Sequence, residues 1–193
     1  MTVLSEFNNE TNNEVIEEKP VKKSAKSEIL EWVVSILVAV VLALVIRNFV
    51  FTVVRVDGES MLPTLNHNDR LIVWRLGYKP ENGDIIVLHQ TGHNPYIKRV
   101  IANEGQTVDI DFETSTVYVD GVALEEDYIN EPTKLRGNVN FPVTVGEDEV
   151  FVLGDNRNNS RDSRFNDVAC VDYDDILGKA VLRFLPFSDV KVF

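Results

Sequence analysis

Residues 29–46 read ILEWVVSILVAVVLALVI, an apolar run in which Glu31 alone is charged. No other feature restricts so strongly what the chain can fold into. A helix rises about 1.5 Å per residue, and about 20 apolar residues cross a bilayer core. Eighteen residues is short, but Phe49 to Phe51 extend the run and Glu31 lies at its polar end. Trp32 sits where tryptophans favour the headgroup boundary. The run begins too deep in the chain for a cleavable signal peptide and exceeds the usual length of such a core, and no small-x-small exit follows it. The sequence therefore predicts a retained transmembrane anchor over residues 29–48.

Charge sets the expected orientation. Lys19, Lys22, Lys23 and Lys26 precede the run, against Arg47 and Arg55 after it. Lysine and arginine stay on the cytoplasmic side, which predicts a cytoplasmic N-terminus and an extracytoplasmic remainder. Residues 1–28 are read as a cytoplasmic tail with a basic flank. Its first 18 residues are too rich in Asn and Glu, and too poor in apolar groups, to order themselves.

Residues 49–193 predict a mainly β, antiparallel domain. Short runs rich in β-branched residues recur: FVFTVVRV, RLIVW, DIIVLH, YIKRVIA, TVDID, TVYVD, EVFVLGD and KAVLRFL. Turn formers separate them, among them Asn82-Gly83, Asn94-Pro95 and Asp120-Gly121. The segment TVYVDGVALEEDY predicts a hairpin about Asp120-Gly121.

The net charge of −12 argues against nucleic acid as a partner, because phosphate binding needs a basic surface. The single cysteine, Cys170, cannot close an intramolecular disulfide and reads as a small buried or strand-edge residue. His67, His89 and His93 are too few and too irregularly spaced for a zinc site. No metal or organic cofactor is expected.

Three blocks carry candidate chemistry. The first, Gly58-Glu59-Ser60-Met61-Leu62-Pro63-Thr64, puts a serine on an exposed turn after a strand. The second is Tyr96-Ile97-Lys98-Arg99-Val100-Ile101. Strand alternation gives Tyr96, Lys98 and Val100 one face and sends Arg99 to the other. Lys98 can then enter apolar surroundings while Arg99 stays in water or pairs with an acid. The third, GDNRNNSRDSR over residues 154–164, is a polar loop dense in groups able to fix one another. Singly, each is an ordinary turn serine, strand lysine or Asx-rich loop.

In this order, behind an N-terminal anchor, the blocks closely resemble those of the type I signal peptidases (peptidase family S26) in their bacterial single-anchor form. The resemblance implies a membrane-bound serine endopeptidase with a Ser/Lys dyad, which removes signal peptides from exported preproteins after small residues. By that resemblance Ser60 is the nucleophile and Lys98 the general base. Ser160 hydrogen-bonds and orients the lysine, and Asp162 and Arg164 form a supporting ion pair. Asp155, Asn156 and Arg157 match the motif and are read as scaffold. Val54 and Val56 lead into Ser60 and are candidates for lining shallow substrate pockets. Signal peptides, the lipid bilayer and the secretion translocon are the implied partners. Some family members carry a serine two positions before the nucleophile, whose hydroxyl helps hold the oxyanion. Gly58 occupies that position here, so stabilisation falls to backbone N–H or to another, compensating donor. An autocleaving repressor, which uses a related dyad, would bring a DNA-binding domain where this chain has a tail and an anchor.

Overall fold

A computed structural model describes residues 25–89 and 95–193. The expected tail therefore lies outside the described residues up to position 24, as do His93 and Asn94. Helix α1 spans Ala25–Val45, starting four residues before the predicted anchor. Its stretch Glu28–Val45 is long and apolar enough to cross a membrane, and its side chains are exposed. The helical path ends in one π-helical turn, Ile46–Val50, closed by the Phe51 N–H donating to the Ile46 carbonyl. Phe51 itself is extended, so the predicted anchor's last residues already belong to this turn.

A β body follows. Its strands are β1 (Phe51–Arg55), β2 (Arg70–Trp74), β3 (Ile85–Leu88), β4 (Tyr96–Asn103), β5 (Thr107–Asp111), β6 (Thr116–Val119), β7 (Val122–Ala123), β8 (Val143–Thr144), β9 (Glu149–Leu153), β10 (Val171–Asp172), β11 (Ile176–Leu185) and β12 (Lys191–Val192). All pairings are antiparallel, as expected from the sequence. The large sheet runs β1-β2-β11-β3-β4-β9-β10, with β12 on β11; the small one runs β7-β6-β5-β8. The predicted hairpin forms between β6 and β7. Asp120 and Gly121 both take positive φ, 51° and 78°, as a two-residue type I′ turn requires.

Side-chain alternation builds three apolar clusters. In β3, Ile85 and Val87 enter one with Met61, Leu65 and Ile97, while Ile86 and Leu88 enter another with Val100 and Val152. This explains the unbroken apolar run in β3, which is buried on both faces. β9 likewise splits, sending Phe151 and Leu153 to a cluster shared with Val108, Ile110 and Val117 of the small sheet. A register shift in β4 between Val100 and Ala102 puts both Ile101 and Ala102 into that cluster. β4 thus touches all three clusters, and Lys98 lies near its middle.

Candidate active site

Ser60 sits in a compact turn after β1. Leu62 N–H donates to the Glu59 carbonyl at 3.1 Å and Leu65 N–H to the Met61 carbonyl at 2.9 Å. Met61 and Leu65 are buried in the first cluster and anchor the turn from below. Arg183 of β11, itself buried, donates to the Thr64 carbonyl and to Asp69, each at 3.0 Å. Gly58, at φ +96°, adopts a backbone conformation that L side chains disfavour, although a Cβ there would meet open space. Its N–H donates to His67 Nδ1 at 3.1 Å.

Lys98 is 3% exposed. Its Nζ lies 2.9 Å from Ser60 Oγ and donates to the Ile97 carbonyl at 2.9 Å. The Tyr96 ring centroid is 5.0 Å away, as expected if Tyr96 and Lys98 share a face. Burial disfavours the ammonium and lowers the pKa to about 8, while Asp162 and Asp155 oppose the shift and Arg164 assists it. Strand β4 itself carries no Asp or Glu, so neither of these aspartates is a same-strand neighbour of Lys98. They arrive from the loop after β9. A largely desolvated amine within reach of a hydroxyl is the geometry of a base-activated nucleophile.

The polar loop packs beneath this pair. Asp162 and Arg164, both fully buried, form a bidentate pair with two contacts of 2.8 Å. Asp162 also accepts from Gly154 N–H, and Arg164 donates to the Arg157 and Leu135 carbonyls. Ser160 departs from expectation. Its Oγ is buried and makes no hydrogen bond among the described residues, so the bond expected to Lys98 is not formed. The Lys98 amine is instead engaged by Ser60 and the Ile97 carbonyl. Ser160 is packed against Gly154: a Cβ on Gly154 would come within 2.2 Å of Ser160 Oγ and 2.5 Å of the Ser60 carbonyl oxygen.

The residues read as scaffold grip the site directly. Asp155 is fully buried; it binds Arg99 through contacts of 2.8 and 2.6 Å and accepts from Thr64 Oγ1 at 2.5 Å. Arg99 also stacks over Tyr128, 4.1 Å from its centroid. It therefore leaves the Lys98 face for an acid, as alternation allows. Asn156 donates from its backbone to the Ser60 carbonyl and from Nδ2 to the Glu59 carbonyl, both at 3.0 Å. Arg157 pairs with Glu126. No sequence signal assigned these partners, because they lie up to 97 residues apart in the chain.

A cleft of about 230 Å³ runs over Ser60 and Lys98, lined also by Val56, Gly58, Tyr96, Ile97 and Arg161. Val56 reaches it but is only 4% exposed and belongs mainly to the core. Val54, half-buried, lines an adjoining cleft of about 410 Å³ with Val53, Arg55, Asp57 and Pro95. Cys170 is half-buried, and burial pushes its thiol up to about 11. Among the described residues no group of three or more His, Cys, Asp or Glu is placed to hold a metal ion.

Residues 29–185 match the family described as signal peptidase, peptidase S26. The chain belongs to this family. Among curated relatives, a signal peptidase I of Leptolyngbya laminosa is 44% identical over 155 residues, covering 74% of this chain and 73% of the relative. Signal peptidase IB of Staphylococcus aureus is 35% identical over 165 residues, covering 76% and 84%. A solved signal peptidase I of Enterococcus faecalis V583 aligns with 31% identity over 53% of this chain and 97% of that one, at a TM-score of 0.43. The family match takes in all three blocks and most of helix α1, so Ser60 and Lys98 both lie within the matched residues.

Proposed function

We propose that the chain is a membrane-anchored endopeptidase that removes signal peptides from exported preproteins with a Ser60/Lys98 dyad. Family membership supports the reaction class. The observation that carries the mechanism is the 2.9 Å approach of a buried Lys98 Nζ to Ser60 Oγ. At pH 7 a lysine of pKa near 8 is neutral about 10% of the time, against roughly 0.04% at the unperturbed value of ~10.4.

The proposed cycle uses that approach. Ser60 Oγ attacks the scissile carbonyl while Lys98 accepts its proton. Backbone N–H, that of Ser60 first, holds the oxyanion. Lys98 returns the proton to the leaving amine, and water activated by the same amine hydrolyses the acyl-enzyme. The Asp162–Arg164 pair fixes the loop, and Ser160 packs against Gly154, which itself lies close to the nucleophile's carbonyl.

Helix α1 serves as a single-pass anchor with its N-terminus in the cytoplasm, the orientation favoured by its lysine flank. The catalytic site then works at the outer membrane surface, where translocating chains emerge beside the translocon. Val54 and Val56 help shape the shallow pockets that select small side chains.

The test is processing of a preprotein in detergent micelles. A substrate with alanine at the first and third positions before the cut is cleaved there. The same substrate with phenylalanine at those positions resists. Failure to cleave the alanine substrate would favour a non-catalytic β module on an anchored scaffold, and equal cleavage of both would remove the pocket assignment.

A further inference from the structure

We propose that Asn156 is a positioning residue for the oxyanion hole: it holds the peptide plane that carries the Ser60 N–H. This rests on the Ser60/Lys98 reading. Across a trans peptide the carbonyl and the N–H point in opposite directions, and the Glu59–Ser60 bond is not one of the chain's cis bonds. Asn156 Nδ2 donates to the Glu59 carbonyl at 3.0 Å. Pinning that oxygen turns the Ser60 N–H away from Asn156. Among the described residues this N–H donates to no acceptor, so it is available to an incoming oxygen.

The grip is double. The Asn156 backbone N–H holds the Ser60 carbonyl at 3.0 Å, so the peptide planes on both sides of the nucleophile are fixed by one residue. Asn156 is 5% exposed, and its own Oδ1 accepts from Asn130 Nδ2 at 3.4 Å, which orients the amide with Nδ2 toward the turn. A carbonyl that accepts a hydrogen bond also polarises its peptide, making the attached N–H a better donor. The arrangement matters more here because Gly58 offers no hydroxyl to the same oxygen. The Leu62 N–H shares the Glu59 carbonyl, so losing Nδ2 loosens the plane without freeing it.

The test compares wild type, Asn156→Ala and Asn156→Asp on a cleavable preprotein, above the acidic limb of the pH profile so that Lys98 is neutral throughout. Asn156→Ala is expected to lower kcat about tenfold, less than the 10²–10³ that follows outright loss of an oxyanion donor, with KM within twofold. Asn156→Asp keeps the backbone bond and the side-chain size but sets an acceptor against the Glu59 carbonyl, and is expected to fall further. A peptide aldehyde, which forms an oxyanion-like adduct on the serine, should weaken in proportion to kcat/KM, while the cleaved signal peptide binds as before. A kcat within twofold of wild type in both variants overturns the proposal, as does a loss confined to KM or aldehyde affinity that does not follow activity. Far-ultraviolet circular dichroism checks folding; if Asn156→Ala does not fold, Asn156→Asp decides alone. An inactive wild type with an inactive Ser60→Ala variant would instead defeat the dyad reading itself.

Discussion

Burying Lys98 costs the folded protein stability wherever the unfolded lysine is charged, and replacing it with methionine exposes that cost. The folded pKa is about 8 and the ordinary value 10.5. Below pH 8 both states hold the proton, and the folded state bears the full penalty of a desolvated ammonium. Between pH 8 and 10.5 the unfolded chain binds more protons, so wild-type stability rises with pH across that window. At ~1.36 kcal/mol per pKa unit the penalty is about 3 kcal/mol at pH 7 and nearly gone at 10.5. Lys98→Met removes it, at the loss of about 1 kcal/mol for the bond to the Ile97 carbonyl. The variant should therefore be about 2 kcal/mol more stable than wild type at pH 7 and slightly less stable at pH 10.5. Urea titrations of the detergent-solubilised chain at both pH values give the comparison, and the difference between the two variants cancels other titrating groups. A gain that is the same at both pH values, or a variant weaker than wild type at pH 7, would show that the Lys98 amine is not desolvated.

The same amine sets the pH dependence of cleavage. kcat/KM should rise through a midpoint near pH 8, because the base acts when neutral; a midpoint near 10 would contradict the buried setting. Asp162→Asn removes a carboxylate that raises the Lys98 pKa and leaves Arg164 without its acid. The midpoint should move below 8 in a rate titration, and unfolding should come about 3–5 kcal/mol sooner, as for other broken buried pairs. Gly154→Ala drives a Cβ to 2.2 Å from Ser160 Oγ and 2.5 Å from the Ser60 carbonyl. Processing should be largely lost while signal-peptide binding, followed by fluorescence anisotropy, changes less.

Local pattern made much of this legible. The apolar run announced helix α1, and eight β-rich runs correspond to the eight longer strands. Period-two alternation separated Lys98 from Arg99. What escaped was short or distant. β8, β10 and β12 are two residues each, too brief for alternation to register. The register shift in β4 leaves no mark in composition. The groups that tune Lys98 and hold Ser60 come from residues 155–164, and Arg183 reaches Thr64 across 119 positions. Such contacts depend on the order of strands in the sheet, which local propensity does not encode. Asp155 and Asn156 read as scaffold because their partners were invisible. Ser160 was expected to bond Lys98 by resemblance, and its hydroxyl instead lies buried against Gly154.

The most direct test of the dyad is one gel. Wild type, Ser60→Ala and Lys98→Ala are incubated with the same preprotein in micelles at pH 9, where Lys98 is mostly neutral. The dyad predicts mature product from wild type and none above background from either variant, each still folded by circular dichroism. Processing by Ser60→Ala or Lys98→Ala at the wild-type rate would contradict it.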